Sequence, residues 1–187
     1  MTELALDTRT GLPEHLRVLA DLYPRDQWRG HGNFNELTAF WLERHLMFRQ
    51  LLDKMIDDAQ AAVDGAGDPR FGAELSRYAG FFLNQLHGHH TIEDQHYFPQ
   101  FNALDTRLEQ AFALLDADHH ALDGHIAGFA DRTNAVLQSL QQGASAQNAT
   151  GRLLDAQRGF RGFLHRHLED EEEIVVPIIL EYGPDMH

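Results

Sequence analysis

The chain has no cysteine among its 187 residues. Thiolate nucleophiles, disulfide scaffolds, thiolate zinc sites and iron–sulfur clusters are therefore excluded. No stretch approaches the ~18 consecutive apolar residues that a membrane-spanning helix needs. The first ten residues, MTELALDTRT, have neither the basic start nor the apolar run of a secretory signal. These absences predict a soluble protein of the cytoplasm with no membrane partner.

Positive charge is also scarce, since 15 Lys and Arg face 29 Asp and Glu and the net charge is -14. Such a balance argues against nucleic acid as a partner, because nucleic-acid binding relies on basic patches. By contrast, the chain contains 13 histidines. Neutral imidazole is the commonest metal ligand in proteins, so many histidines without cysteine indicate imidazole–carboxylate metal chemistry.

One motif occurs twice with identical spacing. His89 and Glu93 are four residues apart, His167 and Glu171 repeat the pair 78 residues later, and a proline follows each Glu after six residues. Residues four apart lie on the same face of an α-helix. Two such helices facing each other would bring two imidazoles and two carboxylates to a shared centre. The repeat therefore predicts a metal site, and one with room for two metals.

Helical periodicity fills most of the chain, and strand-like alternation is almost absent. Four runs of about 30 residues, separated by Gly- and Pro-containing breaks, predict an all-α protein. Short connections favour an antiparallel up-down-up-down four-helix bundle. The predicted helices cover residues 34–63, 70–99, 104–140 and 146–182.

The predicted domain is the bundle at residues 34–182, with an N-terminal extension at 1–33 and a tail at 183–187. The extension does not follow the bundle pattern. A short helix over 12–23 and an ordered loop over 23–28 are expected there. We expect the extension to cap one end of the bundle.

The faces of the helices select candidate ligands. At 100° per residue, the His and Glu of both motifs fall on apolar stripes, as does His45 on the first helix. On the third helix, His119 shares the apolar stripe and His120 does not. Buried polar groups are costly unless they are paired or bind a metal. The predicted metal ligands are His45, His89, Glu93, His119, His167 and Glu171.

Two further expectations concern neighbouring residues. His96 falls on the same inward stripe as Glu93 and is predicted to support a ligand rather than to bind metal directly. The acidic run around Glu171 is predicted to be a solvated charge run at its other positions, which are Glu169, Asp170, Glu172 and Glu173.

Four imidazoles and two carboxylates suit a pair of borderline metals such as iron better than Mg²⁺ or Ca²⁺, which prefer oxygen ligands alone. Either carboxylate can bridge two metals and lower the repulsion between them. Six protein ligands for two metals leave positions for a small ligand. Manganese or a mixed pair also satisfies this ligand set.

The order His, His-x-x-x-Glu, His, His-x-x-x-Glu on successive helices resembles the hemerythrin-like family of HHE cation-binding bundles. Local sequence agrees at Glu43-Arg44-His45, and the resemblance covers about residues 34–182. It implies two iron ions with a bridging oxo or hydroxo group. It also implies binding of a small ligand such as O2, NO or peroxide.

One position departs from the oxygen-carrying members of that family. Their third helix carries a second histidine four residues after the first, and this chain has Asp123 there. Asp123 is then an additional ligand, or one iron is less saturated, or another histidine takes the place. The candidate replacements are His90, His96 and His31.

Three functions follow from these patterns. The leading hypothesis is a non-haem di-iron protein that binds O2 or a related molecule for binding, sensing or delivery. The second is a di-iron enzyme that turns over peroxide, NO or O2, because a carboxylate at Asp123 would stabilise the ferric state. The third is a metal buffer or a structural metal site. The sequence alone does not decide whether the protein is an enzyme.

Overall fold

The computed structural model describes residues 4–184, and in that part of the chain every regular element is helical. The predicted all-α class agrees with this. Five α-helices, numbered α1 to α5, account for most of the described residues. None of them is both long and apolar enough to cross a membrane. Their bounds are Glu36–Val63 (α1), Phe71–Ile92 (α2), Phe98–Leu104 (α3), Glu109–Gln141 (α4) and Gln147–Tyr182 (α5).

Helix α1 has clear start and stop signals. The side chain of Asn35 accepts hydrogen bonds from the backbone N–H and the hydroxyl of Thr38, at 2.9 and 2.8 Å. An Asn side chain in this position satisfies a backbone donor that the first turn leaves unpaired. After the helix, Gly65 has a φ of 76°, a left-handed conformation that favours glycine. The helix therefore lies within the predicted range.

The second predicted helix is not one regular α-helix. After α2, residues Glu93–Tyr97 form a π-helical turn, and α3 follows directly with Pro99 in its first turn. A proline there removes no helical hydrogen bond, because the first N–H groups of a helix have no acceptor within it. The run consequently passes the predicted end near Pro99 and reaches Leu104, and α4 begins at Glu109 rather than near residue 104.

The described part of the extension, residues 4–33, is called here the N-terminal segment. It contains 3₁₀ turns at Glu14–Leu16 and Arg25–Gly30. The predicted helix over 12–23 is therefore wrong, and a 3₁₀ helix occupies much of the predicted loop over 23–28. The buried leucines that suggested a helix are spaced three and four residues apart, and separate turns accommodate this spacing as well as a continuous helix does.

The described chain divides into two compact units. The first unit comprises residues 4–46, 90–120 and 165–184. Its apolar core joins leucines of the N-terminal segment to aromatic residues of α1, α3 and α4 and to branched residues of α5. The largest of these core residues are Leu19, Trp41, Phe98, Phe101, Phe112, Ile174 and Ile178.

The second unit comprises residues 47–89 and 121–164. Its core is built on four fully buried phenylalanines, one from each of α1, α2, α4 and α5. Phe82 is the common member, with ring centroids 5.9–6.1 Å from those of Phe48, Phe129 and Phe160. Edge-to-face and tilted aromatic pairs at such distances add to the hydrophobic stabilisation.

Candidate metal centre

The first unit contains a buried group of three histidines. His90 comes from α2, His119 from α4 and His167 from α5, and one nitrogen of each lies within 4.8 Å of the others. The rings of His90 and His119 stack with centroids 4.1 Å apart. We call these residues the histidine group. Three imidazoles with so little access to water suit a bound cation better than a set of protonated side chains.

A second group contains two carboxylates. His45 comes from α1, Glu93 opens the π-helical turn and Glu171 comes from α5; all three side chains are fully buried. One ligand atom of each lies within 4.8 Å of the others. One further potential ligand is His89, which precedes Glu93 by one turn of the same helical run and is 9% exposed. We call His45, Glu93 and Glu171 the carboxylate group.

The two carboxylates lie between imidazoles of different groups. One oxygen of Glu171 is 3.3 Å from Nε2 of His45, and its other oxygen is 3.4 Å from Nε2 of His167. Glu93 Oε2 is 3.6 Å from Nε2 of His119. Carboxylates in such positions have the arrangement required to bridge two metal ions, each of which also takes imidazole ligands.

Three of the imidazoles are oriented by a carboxylate on their Nδ1 side. The Nδ1 atoms of His45, His119 and His167 face single oxygens of three acidic residues, at 2.9, 2.7 and 3.3 Å respectively. Metal-binding histidines commonly donate their second ring N–H to a carboxylate, which fixes the tautomer and makes the free nitrogen more basic. The three acidic residues are, in the same order, Glu172, Asp94 and Asp118.

The opposite nitrogens of two of these rings give the clearest indication that the residues fit a cation. Nε2 of His119 and Nε2 of His167 are buried and have no hydrogen-bond partner among the described residues. A buried polar atom without a partner costs about 1–3 kcal/mol. With Nδ1 bound to a carboxylate, Nε2 carries the lone pair, and a metal ion uses that lone pair directly. The residues present therefore fit a metal.

The electrostatics of Glu93 and His167 point the same way. At His45 burial lowers the pKa, but the neighbouring Glu171 and Glu172 outweigh this effect and raise it. Burial and the neighbouring charge of Glu171 raise the pKa of Glu93 well above its usual value. Burial lowers the pKa of His167 and favours its neutral form. Two buried carboxylates side by side repel each other when both are ionised, and a cation between them removes that repulsion. The neutral imidazole is the form that binds metal.

Aromatic rings surround the carboxylates and histidines within the first unit. Trp41 donates its indole N–H to Glu171 at 2.6 Å, and its ring packs on Tyr97 with centroids 5.1 Å apart. The ring of Phe98 stacks on that of His119 at 5.5 Å. These side chains exclude water from the groups, so electrostatic interactions there are stronger than at the surface.

The structure collects the predicted ligands into these two groups. Five of the six lie in one group or the other, and His119 is buried while His120 is exposed, as the helical periodicity indicated. The sixth, His89, lies one turn before Glu93 on the same helical run. His90, one of the alternatives for the missing fifth histidine, joins the histidine group. The adjacent pair His89-His90 was the sequence signal for this residue. Neighbouring side chains on a helix differ in direction by only about 100°, so both can face the interior.

Two residues that were predicted to lie at the site do not. His96 is exposed and contacts Gln100, because the π-helical turn contains an extra residue and rotates it away from the inward stripe. Asp123 is exposed on α4 and belongs to neither group. The structure therefore gives no support to Asp123 as a ligand. His31, the remaining alternative, packs edge-on against Tyr23 and also belongs to neither group.

The expectation of a solvated acidic run is wrong at two positions. Asp170 has no exposed surface and Glu172 is only 4% exposed. Each is held by an arginine of the N-terminal segment, Asp170 by Arg9 at 2.7 Å and Glu172 by Arg25 at 2.5 Å. Arg166, four residues before Asp170 on α5, also binds it at 2.5 Å, but the local sequence does not indicate Arg9 or Arg25, which lie in the N-terminal segment.

Asp118 is a buried residue beside the candidate ligands that the sequence patterns did not indicate. It precedes His119 on α4 and bonds both to His167 and to the buried Arg9. Burial raises the pKa of Asp118, but hydrogen bonds from His167 and Arg9 outweigh this effect and hold the pKa below its usual value. The signal was weak, since Asp118 is one acidic residue among many.

Comparison with known proteins gives one match. A family model described as the hemerythrin HHE cation binding domain matches residues 36–179. The matched range includes every member of the histidine group and of the carboxylate group. The searches of curated proteins and of solved structures found no match.

Proposed function

The chain belongs to the hemerythrin HHE cation-binding family, and from this membership we propose that it is a non-haem di-iron protein that binds O2 or a related small molecule. The related molecules are nitric oxide and peroxide. Its task would be binding, sensing or delivery. The proposal includes a cytoplasmic location and the absence of a nucleic-acid partner, the latter supported by the net charge of -14.

The proposed ligands are the six predicted residues together with His90. The histidine group would hold one iron, and His45 and His89 would hold the other. Glu93 and Glu171 would serve both ions. When bound, two iron ions joined by an oxo or hydroxo group supply a redox-active centre with an open position for a small ligand.

A single observation carries this proposal: the oxygens of Glu171 face imidazoles of both groups, at 3.3 Å from His45 and 3.4 Å from His167. A structural site for one metal needs no carboxylate between two sets of histidines. The position of Glu93 near His119 repeats the arrangement from the other motif. Two carboxylates shared between two imidazole sets support a pair of ions.

The residues around the groups would favour an uncharged ligand. Trp41, Tyr97 and Phe98 present aromatic surfaces beside the ligands. Small apolar molecules enter such surroundings at little cost, whereas an ion would lose its hydration. The proposal also includes the up-down-up-down bundle at residues 34–182 and the extension that caps it, for which family membership and the helix order are the support.

Turnover of a substrate is not favoured by any observation in the structure. The hypothesis of an enzyme rested on Asp123 as an extra carboxylate ligand, and Asp123 is exposed. A fifth imidazole at His90 instead gives a ligand set like that of the oxygen-carrying members described above. Reversible binding is therefore the better supported task.

The test is an absorption spectrum of the protein loaded with Fe(II) under anaerobic conditions. Spectra are recorded before O2 is added, after it is added and after it is removed. A visible band that appears and then disappears supports reversible binding. A band that persists would show irreversible oxidation and would favour turnover, and assays with peroxide and NO would follow. Absence of any O2-dependent change would favour a metal buffer or a structural site.

Matched variants connect the spectrum to the proposed ligands. His89→Ala and Glu93→Ala should lower iron content and abolish the band. His87→Ala, an exposed position on the same helix, should change neither. Equal iron content in all three variants would overturn the ligand assignment.

A further inference from the structure

Three arginines of the N-terminal segment bind acidic residues of α5. Arg9 contacts Asp170 at 2.7 Å, Arg17 contacts Glu173 at 2.7 Å and Arg25 contacts Glu172 at 2.5 Å. All three arginines lie outside the range of the family match, which begins at residue 36. The segment therefore adds a set of ion pairs that the family domain does not itself contain.

Arg9 is connected to the proposed ligand His167 by the carboxylate of Asp118. Its side chain is 1% exposed, and its two terminal nitrogens contact the two oxygens of Asp118 at 3.2 and 2.5 Å. The second of these oxygens also lies 3.3 Å from Nδ1 of His167. Arg9 therefore holds both ends of the carboxylate that orients His167. Its remaining nitrogen binds Asp170, so the guanidinium is fixed on two sides.

Arg25 makes the same connection to a different ligand. One oxygen of Glu172 accepts a hydrogen bond from Arg25 at 2.5 Å, and the other lies 2.9 Å from Nδ1 of His45. The guanidinium of Arg25 also packs over the ring of Trp28, 4.6 Å from its centroid. An arginine, a carboxylate and an imidazole thus follow one another at both His45 and His167.

We propose that Arg9 and Arg25 are positioning residues of the metal centre, and that the N-terminal segment is an integral part of the site. This inference rests on the proposed function, since it concerns the same ligands. Each arginine fixes the rotamer of a carboxylate, and that carboxylate fixes the ring of a ligand histidine. The segment thereby sets how tightly the metal ions are bound and how slowly they are released.

The physical reason lies in the geometry of a carboxylate with both oxygens occupied. A carboxylate bound only by an imidazole can rotate about its last side-chain bond, and the imidazole then loses its fixed direction. A guanidinium on the second oxygen removes that freedom and supplies a countercharge in buried surroundings. Asp94, which orients His119, has a side chain that is 33% exposed, so solvent can replace part of this support there.

Arg17 provides a matched control. It lies in the same segment and pairs with the same helix, but its partner Glu173 has a side chain that is 21% exposed and is not one of the acidic residues that face a ligand imidazole. The variants Arg9→Gln, Arg25→Gln and Arg17→Gln therefore remove one ion-pairing arginine each. The first two break a connection to a ligand and the third does not.

The experiment measures the affinity for Co²⁺ by competition with a chromophoric chelator, together with the visible spectrum of the bound ion. Outer carboxylates of metal sites typically contribute about 10–100-fold to affinity. We expect Arg25→Gln to weaken binding about tenfold and Arg9→Gln at least as much, with altered spectra and faster release to chelator. Arg17→Gln should stay close to the wild type in all three measurements.

Conservative variants separate positioning from folding. A lysine at position 25 can still reach one oxygen of Glu172, so Arg25→Lys should restore most of the affinity. A lysine at position 9 cannot bind Asp118 at both oxygens and Asp170 as well, so Arg9→Lys should not. Arg25 is half-exposed at the side chain, 45%, so its variants keep the inference testable if Arg9→Gln does not fold.

The outcomes distinguish this inference from the function on which it rests. Wild-type protein that binds no Co²⁺ at the buried groups would overturn both. Wild-type binding with equal affinities and spectra for Arg25→Gln and Arg17→Gln would overturn the positioning role alone. Weaker binding and a changed spectrum in Arg25→Gln, with recovery in Arg25→Lys, would support it.

Discussion

Both compact units bury an apolar core, but among the described residues the first unit also buries many ionisable side chains, although α1, α2, α4 and α5 contribute to both. The described residues of the second unit bury a core of phenylalanines, with His89 as the buried ionisable residue at its edge. The first unit buries Arg9, the three members of the histidine group, His45 and several carboxylates. The buried carboxylates are Glu93, Asp105, Asp118, Asp170, Glu171 and Glu172.

The interiors of the two units are therefore stabilised in different ways. The phenylalanine core of the second unit is favourable on its own, because burying apolar surface releases water. The charged interior of the first unit is favourable only when each group has a counterpart, since an unpaired buried charge is strongly destabilising. Arginines supply part of the counterpart, and the proposed metal ions supply the rest. Variants in each unit should therefore have different consequences.

The largest effect is expected from removing a ligand in the first unit. His119→Ala takes away a buried imidazole whose Nε2 has no hydrogen-bond partner among the described residues, and should lower metal content by roughly half or more. The matched variant His120→Ala changes the exposed neighbour and should leave the content unchanged. Elemental analysis of both purified variants makes the measurement. Equal content in the two would remove His119 from the site.

A cavity in the second unit should affect stability instead of metal. Phe82 is fully buried and packs against three other phenylalanines, so Phe82→Ala should lower the free energy of unfolding by about 3–5 kcal/mol. The folded fraction should still bind the wild-type amount of metal. Urea denaturation and metal analysis of the folded protein check the two statements. A proportional loss of metal would show that the units are not independent in this respect.

Glu93, one of the buried carboxylates of the first unit, should give the metal-free protein an unusual pH dependence. Burial raises the pKa of Glu93 well above 4.5, the value expected in the unfolded chain. Above pH 4.5 the unfolded chain releases this proton while the folded protein retains it. The free energy of unfolding attributable to Glu93 therefore falls as pH rises from 4.5 through the raised pKa.

Glu93→Gln replaces this group with a permanently neutral one. In the presence of a chelator, the variant should be more stable than the wild type at neutral pH and less dependent on pH. With metal, the order should reverse, because an amide is a poor replacement for a bridging carboxylate. Denaturation curves at several pH values test this. A metal-free variant less stable than the wild type at neutral pH would contradict the expectation.

The smallest effects are expected at the two exposed positions that the sequence placed near the metal. Asp123→Ala and His96→Ala should change metal content and affinity by less than about twofold, since surface substitutions away from a site usually have small effects. His90→Ala is the positive control and should weaken binding clearly. A clear loss of metal in Asp123→Ala would return that residue to the ligand set.

Much of the site follows from periodicity, and the exceptions have identifiable causes. Periodicity selected His119 over His120 because α4 is a regular α-helix there. It failed at His96 because a π-helical turn intervenes, and no residue type announces such a turn. It failed at Asp170 and Glu172 because Arg9 and Arg25, which bind them from the N-terminal segment, lie 161 and 147 positions away in the chain. Local patterns cannot indicate a partner supplied by a segment without regular helices.

The N-terminal segment illustrates the same limit for the fold. Its residues Leu16 and Leu19 lie in the core of the first unit, although the short helix expected over 12–23 does not form. Its backbone conformation was not predictable in the same way, because separate turns and a short helix place leucines at similar spacing. Tertiary contacts decide between them, and a weak local preference does not.

The π-helical turn has a consequence for the two copies of the repeated motif. Pro99 follows Glu93 after a π-helical turn, whereas Pro177 follows Glu171 inside the uninterrupted helix α5. The two copies have the same sequence spacing, but the π-helical turn gives the side chains after Glu93 a different direction around the helix from those after Glu171. Exchanging the segments after the two glutamates, or deleting one residue from Glu93–Tyr97, would rotate the rest of the helix onto a new face. Equal sequence spacing therefore does not give the two copies of the motif equal backbone geometry.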